Sequence, residues 1–233
     1  MTLLTNLANY KQPDSPANRF RARRFALFSS LAARLSRPLR ILDVGGTEAF
    51  WKTMGFADEP DVSITTVNIE LESGAGSGRI EALQGDACDL HRFADQSFDI
   101  VFSNSVIEHV GGVENQRRSA NEIQRVGKAY FVQTPNKNFP IEPHFMFPFF
   151  QFLSVPVRVY LLTHFHLGYC GKISDLEQAR RAAQEIELLN RRSFCALFPT
   201  AHVWDERAFG LVKSFVAYGG FPPAPSQPPA QST

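Results

Sequence analysis

The sequence predicts an α/β protein built on a doubly wound, mostly parallel sheet. Three observations carry that prediction. Leu39-Arg-Ile-Leu-Asp-Val44 is an apolar run, which suits a strand buried on both faces. It ends in Asp43, Gly45 and Gly46 and passes into Glu48-Ala-Phe-Trp-Lys-Thr-Met54, which reads as a helix. Strand, glycine turn and helix is how such a sheet makes a ligand crevice at the carboxyl end of its strands. Glycine is needed there because a Cβ would hold the backbone away from a ligand. From Leu39 to Thr134, further strand-like runs alternate with helical stretches, the pattern of a parallel sheet covered on both sides.

Composition narrows the class. A chain of 233 residues, 44% hydrophobic and 20% charged, fits one globular domain with an insertion. The net charge of +1 leaves no broad basic field for nucleic acid. Cys88, Cys170 and Cys195 are scattered and odd in number, which argues against a disulfide framework and for a reducing compartment. The first residues lack the charged-then-apolar pattern of a signal peptide, so a cytoplasmic location is expected.

Residues 1–37 read as an N-terminal helical arm. Ser15-Pro16 has the form of a helix start, and Phe20, Leu27, Phe28, Leu31 and Leu35 recur at helical spacing until Pro38. Arg19, Arg21, Arg23, Arg24 and Arg34 are interleaved. They make either the solvated side of a docked helix or a basic arm that touches the site or an anionic surface. The main domain spans 38–221. Within it, Ser73-Gly-Ala-Gly-Ser-Gly78 lacks the lysine and spacing of a phosphate loop and reads as a linker.

Residues 139–172 form an aromatic insertion, with Phe139, Phe145, Phe147, Phe149, Phe150, Phe152 and Phe165 close together. Pro148, Gln151, Pro156 and Arg158 interrupt it, whereas a membrane span needs about 20 mostly apolar residues. It is read as a lid or wall at the sheet end, with a second small core or a dimer contact as the alternatives. Peripheral membrane contact is a further option, and oligomeric state stays open. Ser174-Asp-Leu-Glu177 is a capping-box pattern, followed by a helical stripe of Leu176, Ala179, Ala183, Ile186 and Leu189. Ala201–Glu206 and Leu211–Tyr218 read as two closing strands, and the Pro-rich tail 222–233 as disordered.

The strand ends follow one another in a telling order: Asp43-Val-Gly-Gly46, Val67-Asn-Ile-Glu70, Gly85-Asp86-Ala87, Phe98–Asn104 and Ala129–Asn136. Taken together they resemble the class I methyltransferases that use S-adenosyl-L-methionine. That resemblance implies a seven-stranded, Rossmann-like sheet with an antiparallel final strand. It also implies the donor site. Asp43, Gly45 and Gly46 would form the loop against the amino acid and ribose of the cofactor, although Thr47 and Ala49 stand where further glycines are usual. Glu70, assisted by Asn68, would grip the ribose hydroxyls, since a carboxylate accepts two hydrogen bonds. Asp86 and the Ala87 backbone would read the adenine. Ser103 and Asn104 would line the methionine end.

The donor methyl sits on a sulfonium and is already activated, so holding the acceptor in line can supply about 7–11 kcal/mol of the barrier. A base is needed where the acceptor carries a proton. His144, in Pro-Ile-Glu-Pro-His, and His109, in Val-Ile-Glu-His-Val and expected on the helix after the fourth strand, are the candidates. No metal is expected, because no His, Cys or carboxylate set stands at ligand spacing; His164, His166 and Cys170 lack a fourth ligand. The expected acceptor is a small, apolar or aromatic molecule. Two other readings remain. A nicotinamide-dependent oxidoreductase would want G-x-G-x-x-G, which Gly45-Gly46-Thr47-Glu48-Ala49 does not supply. A non-catalytic cofactor-binding protein would tolerate a degenerate glycine loop.

Overall fold

The computed structural model describes residues 16–71, 76–168 and 170–224. The N-cap expected at Ser15, residues 73–75 of the loop at 73–78 and most of the tail at 222–233 lie outside the described residues.

The chain runs α1 (Pro16–Ala32), β1 (Leu39–Val44), α2 (Glu48–Thr53), β2 (Val62–Asn68), β3 (Ile80–Gln84), β4 (Phe98–Asn104), α3 (Gly112–Val126) and β5 (Gly127–Pro135). A two-stranded hairpin, β6 (Ile141–Glu142) and β7 (Phe147–Pro148), opens the insertion, and a short 3-10 turn and α4 (Val155–His164) follow. Then come α5 (Leu176–Glu185), α6 (Arg191–Leu197), β8 (His202–Ala208) and β9 (Leu211–Gly219). Seven strands make one sheet in the order β3-β2-β1-β4-β5-β9-β8. The first five pair in parallel, and β9 is antiparallel to both β5 and β8.

The continuous apolar runs have a cause in the layering. Leu42, Val44, Val101 and Val132 face α3 and α6, in a core with Ile123, Phe194 and Phe198. Ile41, Ile64, Phe102 and Phe131 face α1 and α2, in a core with Phe28, Leu31 and Trp51. Helix α1 is therefore a docked layer of the sheet. It stops at Ala32, well before Pro38, where the backbone tightens: Leu35 N–H donates to Ala32 O.

The insertion builds a third core. Phe145, Phe150, Val159, Leu162 and Ile173 are buried together with Ala179 and Ala183 of α5. Of the expected stripe, Leu176 is exposed, and the helix ends before Ile186 and Leu189. The cap is Asp175 rather than Ser174, its carboxylate accepting from Gln178 N–H at 2.7 Å. Among the described residues no helix is long and apolar enough to cross a membrane.

Candidate active site

At the end of β1, Asp43 points to the α1/α2 side, as its parity with Ile41 requires. Its carboxylate is 1% exposed. Trp51 Nε1 donates to Oδ2 at 2.6 Å, and Oδ1 has no partner. Burial pushes the Asp43 pKa up to about 7, against the pull of the Trp51 hydrogen bond. Gly45 has φ +77°, and a Cβ there would meet Val106 Cγ2 at 2.3 Å. A Cβ on Gly46 would lie 1.5 Å from Asp43 Oδ2. The turn thus folds back over the carboxylate of its own strand and needs both glycines. Thr47, which departs from the glycine pattern, caps α2 by accepting from Phe50 N–H at 3.3 Å.

At the next strand end, Asn68 Nδ2 donates to Gly46 O at 2.8 Å and ties the glycine turn to β2. The strand stops at Asn68, so Glu70 sits in an exposed bend beyond it, not on the strand face that it was expected to share. Asp86 accepts from Cys88 N–H at 2.8 Å, which fixes its carboxylate in a local turn, and Ala87 is half-buried beside it. Ser103 is buried in β4 and Asn104 ends that strand. Ser105, at φ +57°, turns the chain and is held to Gln133 by two hydrogen bonds.

The chain then delivers Glu108 and His109 in a turn that precedes α3; His109 is not on a helix. His144 lies in the turn of the β6–β7 hairpin. The two imidazoles meet edge to face, Nε2 to Nε2 at 3.1 Å. His144 Nδ1 faces Glu142 Oε1 at 2.6 Å, and the other Glu142 oxygen accepts from Phe145 N–H at 2.7 Å. Glu108 is fully buried; Oε2 accepts from Thr134 Oγ1 at 2.9 Å while Oε1 has no partner. Burial pushes Glu108 up to about 7, and burial together with the neighbouring His144 pushes His109 down to about 4. Burial disfavours the charged form of His144 too, but its bond to Glu142 and the charges of Glu142 and Glu108 hold it above the ordinary value. Donor atoms of Glu108, His109 and His144 all lie within 4.8 Å of one another. The premise that no ligand set gathers after the fourth strand is overturned here, because the third member arrives from the insertion.

A cavity of about 250 Å³ lies on the far side of Glu142, between the insertion and α5. Phe145, Phe150, Val155, Lys137, Gln151 and Arg158 are among its walls, and none of the strand-end residues lines it.

Residues 43–130 match the family model described as "Methyltransferase domain". Two curated proteins of Mycobacterium tuberculosis, from strains H37Rv and CDC 1551, are 35% identical over 141 residues. Both are described as uncharacterized, and the match covers 54% of this chain and 46% of theirs, so the chain spans about half the length of these relatives. Among solved structures, the N-methyltransferase NodS of Bradyrhizobium japonicum, bound to S-adenosyl-L-homocysteine, aligns with a TM-score of 0.52 at 11% identity, over 91% of this chain and 93% of that one. A possible exported protein of Bordetella parapertussis aligns with a TM-score of 0.54 at 13% identity, over 84% and 66%. These two share the fold.

The glycine turn at the end of β1 has room for a ligand's donor group. Asp43 Oδ1 is an orphaned buried acceptor beneath the glycine turn, the kind of atom that a ligand donor or a bound water satisfies. Two participants escaped the sequence reading. Trp51 looked like an ordinary apolar helix position. Glu108 was overlooked beside His109, although a carboxylate within Val-Ile-Glu-His-Val is out of character for so apolar a segment.

Proposed function

We propose that the protein is an S-adenosyl-L-methionine-dependent methyltransferase acting on a small molecule. One observation carries this: the matched segment begins at Asp43 and contains the carboxyl ends of β1, β2, β3 and β4, where the candidate donor residues stand. Asp43, Gly45 and Gly46 hold the methionine and ribose portion, Asn68 fixes that turn, and Glu70 takes the ribose hydroxyls. Asp86 and Ala87 take the adenine, and Ser103 and Asn104 flank the sulfonium. In the reaction an acceptor lone pair forms a bond to the methyl carbon, the carbon–sulfur bond breaks with its electrons staying on sulfur, and the acceptor's proton leaves.

His109 and His144 belong to the acceptor side as a pair rather than as a lone base. Both nitrogens of His144 are engaged, and His109, with a pKa near 4, is a weak base. The cavity behind Glu142, apolar on the Phe145 and Phe150 side and polar at Lys137 and Arg158, favours an acceptor with an apolar body and one polar or anionic group.

Calorimetry with S-adenosylhomocysteine and with nicotinamide dinucleotides is the test, supported by native mass spectrometry of the purified protein. Binding of the homocysteine product, lost in Gly46→Ala, is expected. Dinucleotide binding with no affinity for S-adenosylhomocysteine would overturn the reading.

A further inference from the structure

We infer that Glu108, His109 and His144 form a binding site for one divalent transition-metal ion. The argument begins with lone pairs. Two imidazole Nε2 atoms 3.1 Å apart share at most one proton between them. Beside them the fully buried Glu108 brings a third acceptor: its Oε1 has no partner, and a carboxylate oxygen lies within 4.8 Å of a ring nitrogen of each histidine. An unpaired acceptor in a closed site costs free energy, and a cation bound between Glu108 and the two facing imidazoles would satisfy it.

The geometry is already close to that of ligands around an ion. Zinc sits about 2.0–2.2 Å from nitrogen and oxygen ligands, so adjacent ligand atoms stand roughly 3–3.5 Å apart. The two histidines meet this as they are. From within 4.8 Å the carboxylate would have to close by at most about 1–2 Å, a side-chain movement for Glu108.

Each ligand is also oriented from behind. Glu142 accepts from His144 Nδ1, so Nε2, which faces His109 Nε2, is the nitrogen that would coordinate an ion in place of that contact, and Glu142 is itself held by Phe145 N–H. Thr134 holds Oε2 of Glu108 and leaves Oε1 without a partner. Carboxylate–histidine–metal chains of this kind are how proteins fix the tautomer and raise ligand basicity. Two imidazoles and one carboxylate favour zinc, iron or manganese over magnesium, which prefers an all-oxygen shell.

Three protein ligands leave positions open, as catalytic sites require. The role of the ion rests on the methyl-transfer reading: an acceptor oxygen or nitrogen bound there loses proton affinity, and its proton passes to water. Binding of the ion does not rest on it.

The test is zinc titration of the metal-stripped full chain by calorimetry, with metal content measured by mass spectrometry after exchange. One ion per chain is expected, with affinity at least tenfold weaker in Glu108→Gln and in His109→Ala. Glu142→Gln should weaken it by about 10–100-fold. His164→Ala and Cys170→Ser should leave it unchanged. S-adenosylhomocysteine binding by the same variants shows that they are folded and keeps the donor site separate from this one. Zinc-soaked wild-type crystals give a direct readout, an anomalous peak between the two Nε2 atoms. No binding tighter than about 10 µM, affinity unchanged in Glu108→Gln and His109→Ala, or an anomalous peak elsewhere overturns the site.

Discussion

Trp51 donates a buried hydrogen bond to Asp43, and that 2.6 Å contact joins the α1/α2 layer to the floor of the glycine turn. Burial keeps the proton on Asp43 in the folded protein up to about pH 7, whereas an unperturbed aspartate loses it near 3.8. The folded pKa is raised, so the stability it brings is complete below about 3.8 and is lost as pH rises through 7. Asp43→Asn cannot ionise. Thermal unfolding from pH 4 to 8 should therefore show the wild type losing ground to Asp43→Asn across that window, with parallel profiles sinking the assignment. Trp51→Phe leaves both carboxylate oxygens unpaired and should cost about 1–3 kcal/mol.

Asn68 and Glu70 should separate by readout. Asn68→Ala unties the turn from β2, so both the melting temperature and the affinity for S-adenosylhomocysteine should fall. Glu70 is exposed, so Glu70→Ala should change stability by no more than about 0.5 kcal/mol. Its donor affinity should still fall. Calorimetry paired with thermal unfolding checks this, and unchanged donor affinity in Glu70→Ala would remove it from the site.

The glycine turn has two separable requirements. Gly45→Ala suffers both a clash with Val106 and a left-handed backbone that costs roughly 1–2 kcal/mol for a residue with a Cβ. Adding Val106→Ala removes the first and leaves the second. The double variant should recover part, not all, of the lost stability in denaturant titration. Full recovery would mean that the backbone is not strained there.

Much of this layout was legible in the chain because buried parallel strands write themselves as apolar runs. Leu39–Val44, Phe98–Asn104 and Gly127–Pro135 stand at or within two residues of where the sequence puts them. Strand β9 is legible for the same reason: Ser214 to Ala217 are all buried, with Phe215 and Ala217 in one core and Val216 in the other. What was not legible depends on contacts between distant residues. Nothing local says that His144 will meet His109 across 35 positions, or that Glu108 will lose all solvent. The helix expected to carry His109 starts only at Gly112, after Gly111 turns the chain at φ +78°. The insertion was half legible: its aromatic content is plain, but the division into buried Phe145 and Phe150 and exposed Phe149 and Phe152 is set by how α4 meets α5.

That division is testable. Phe150 is 1% exposed and packs on Phe145 at 4.2 Å between ring centroids, so Phe150→Ala should cost about 3–5 kcal/mol. Phe149 is 55% exposed and holds φ +57°, so Phe149→Gly should hold or raise the melting temperature by relieving strain. If the exposed ring meets the acceptor, Phe149→Gly will also raise KM for it while donor affinity stays put. A large loss of stability in Phe149→Gly would show that this ring is packed in solution.

Helix α1 should act on the donor site at second hand. Phe28 is fully buried, and its ring lies 5.8 Å from Trp51, 5.0 Å from Phe102 and 5.5 Å from Phe131. Trp51 in turn holds Asp43, which lies under Gly46. Phe28→Ala opens a cavity beside the indole, and packed interiors relax into such space only partly. The indole can then tilt away from Oδ2, leaving the carboxylate without its buried donor and loosening the turn above it. The loss of stability alone proves nothing, since any buried phenylalanine gives about 3–5 kcal/mol on truncation. The control is Phe198→Ala on the opposite face of the sheet, where the ring packs against Tyr130 and Phe194. Both variants should melt earlier by similar amounts. Measured well below either melting temperature, affinity for S-adenosylhomocysteine should fall in Phe28→Ala and hold in Phe198→Ala. The pH dependence of stability attributed to Asp43 should shift in Phe28→Ala alone. Equal donor affinities in the two variants would mean that the indole keeps its bond without α1 behind it, and that the helix only covers the sheet.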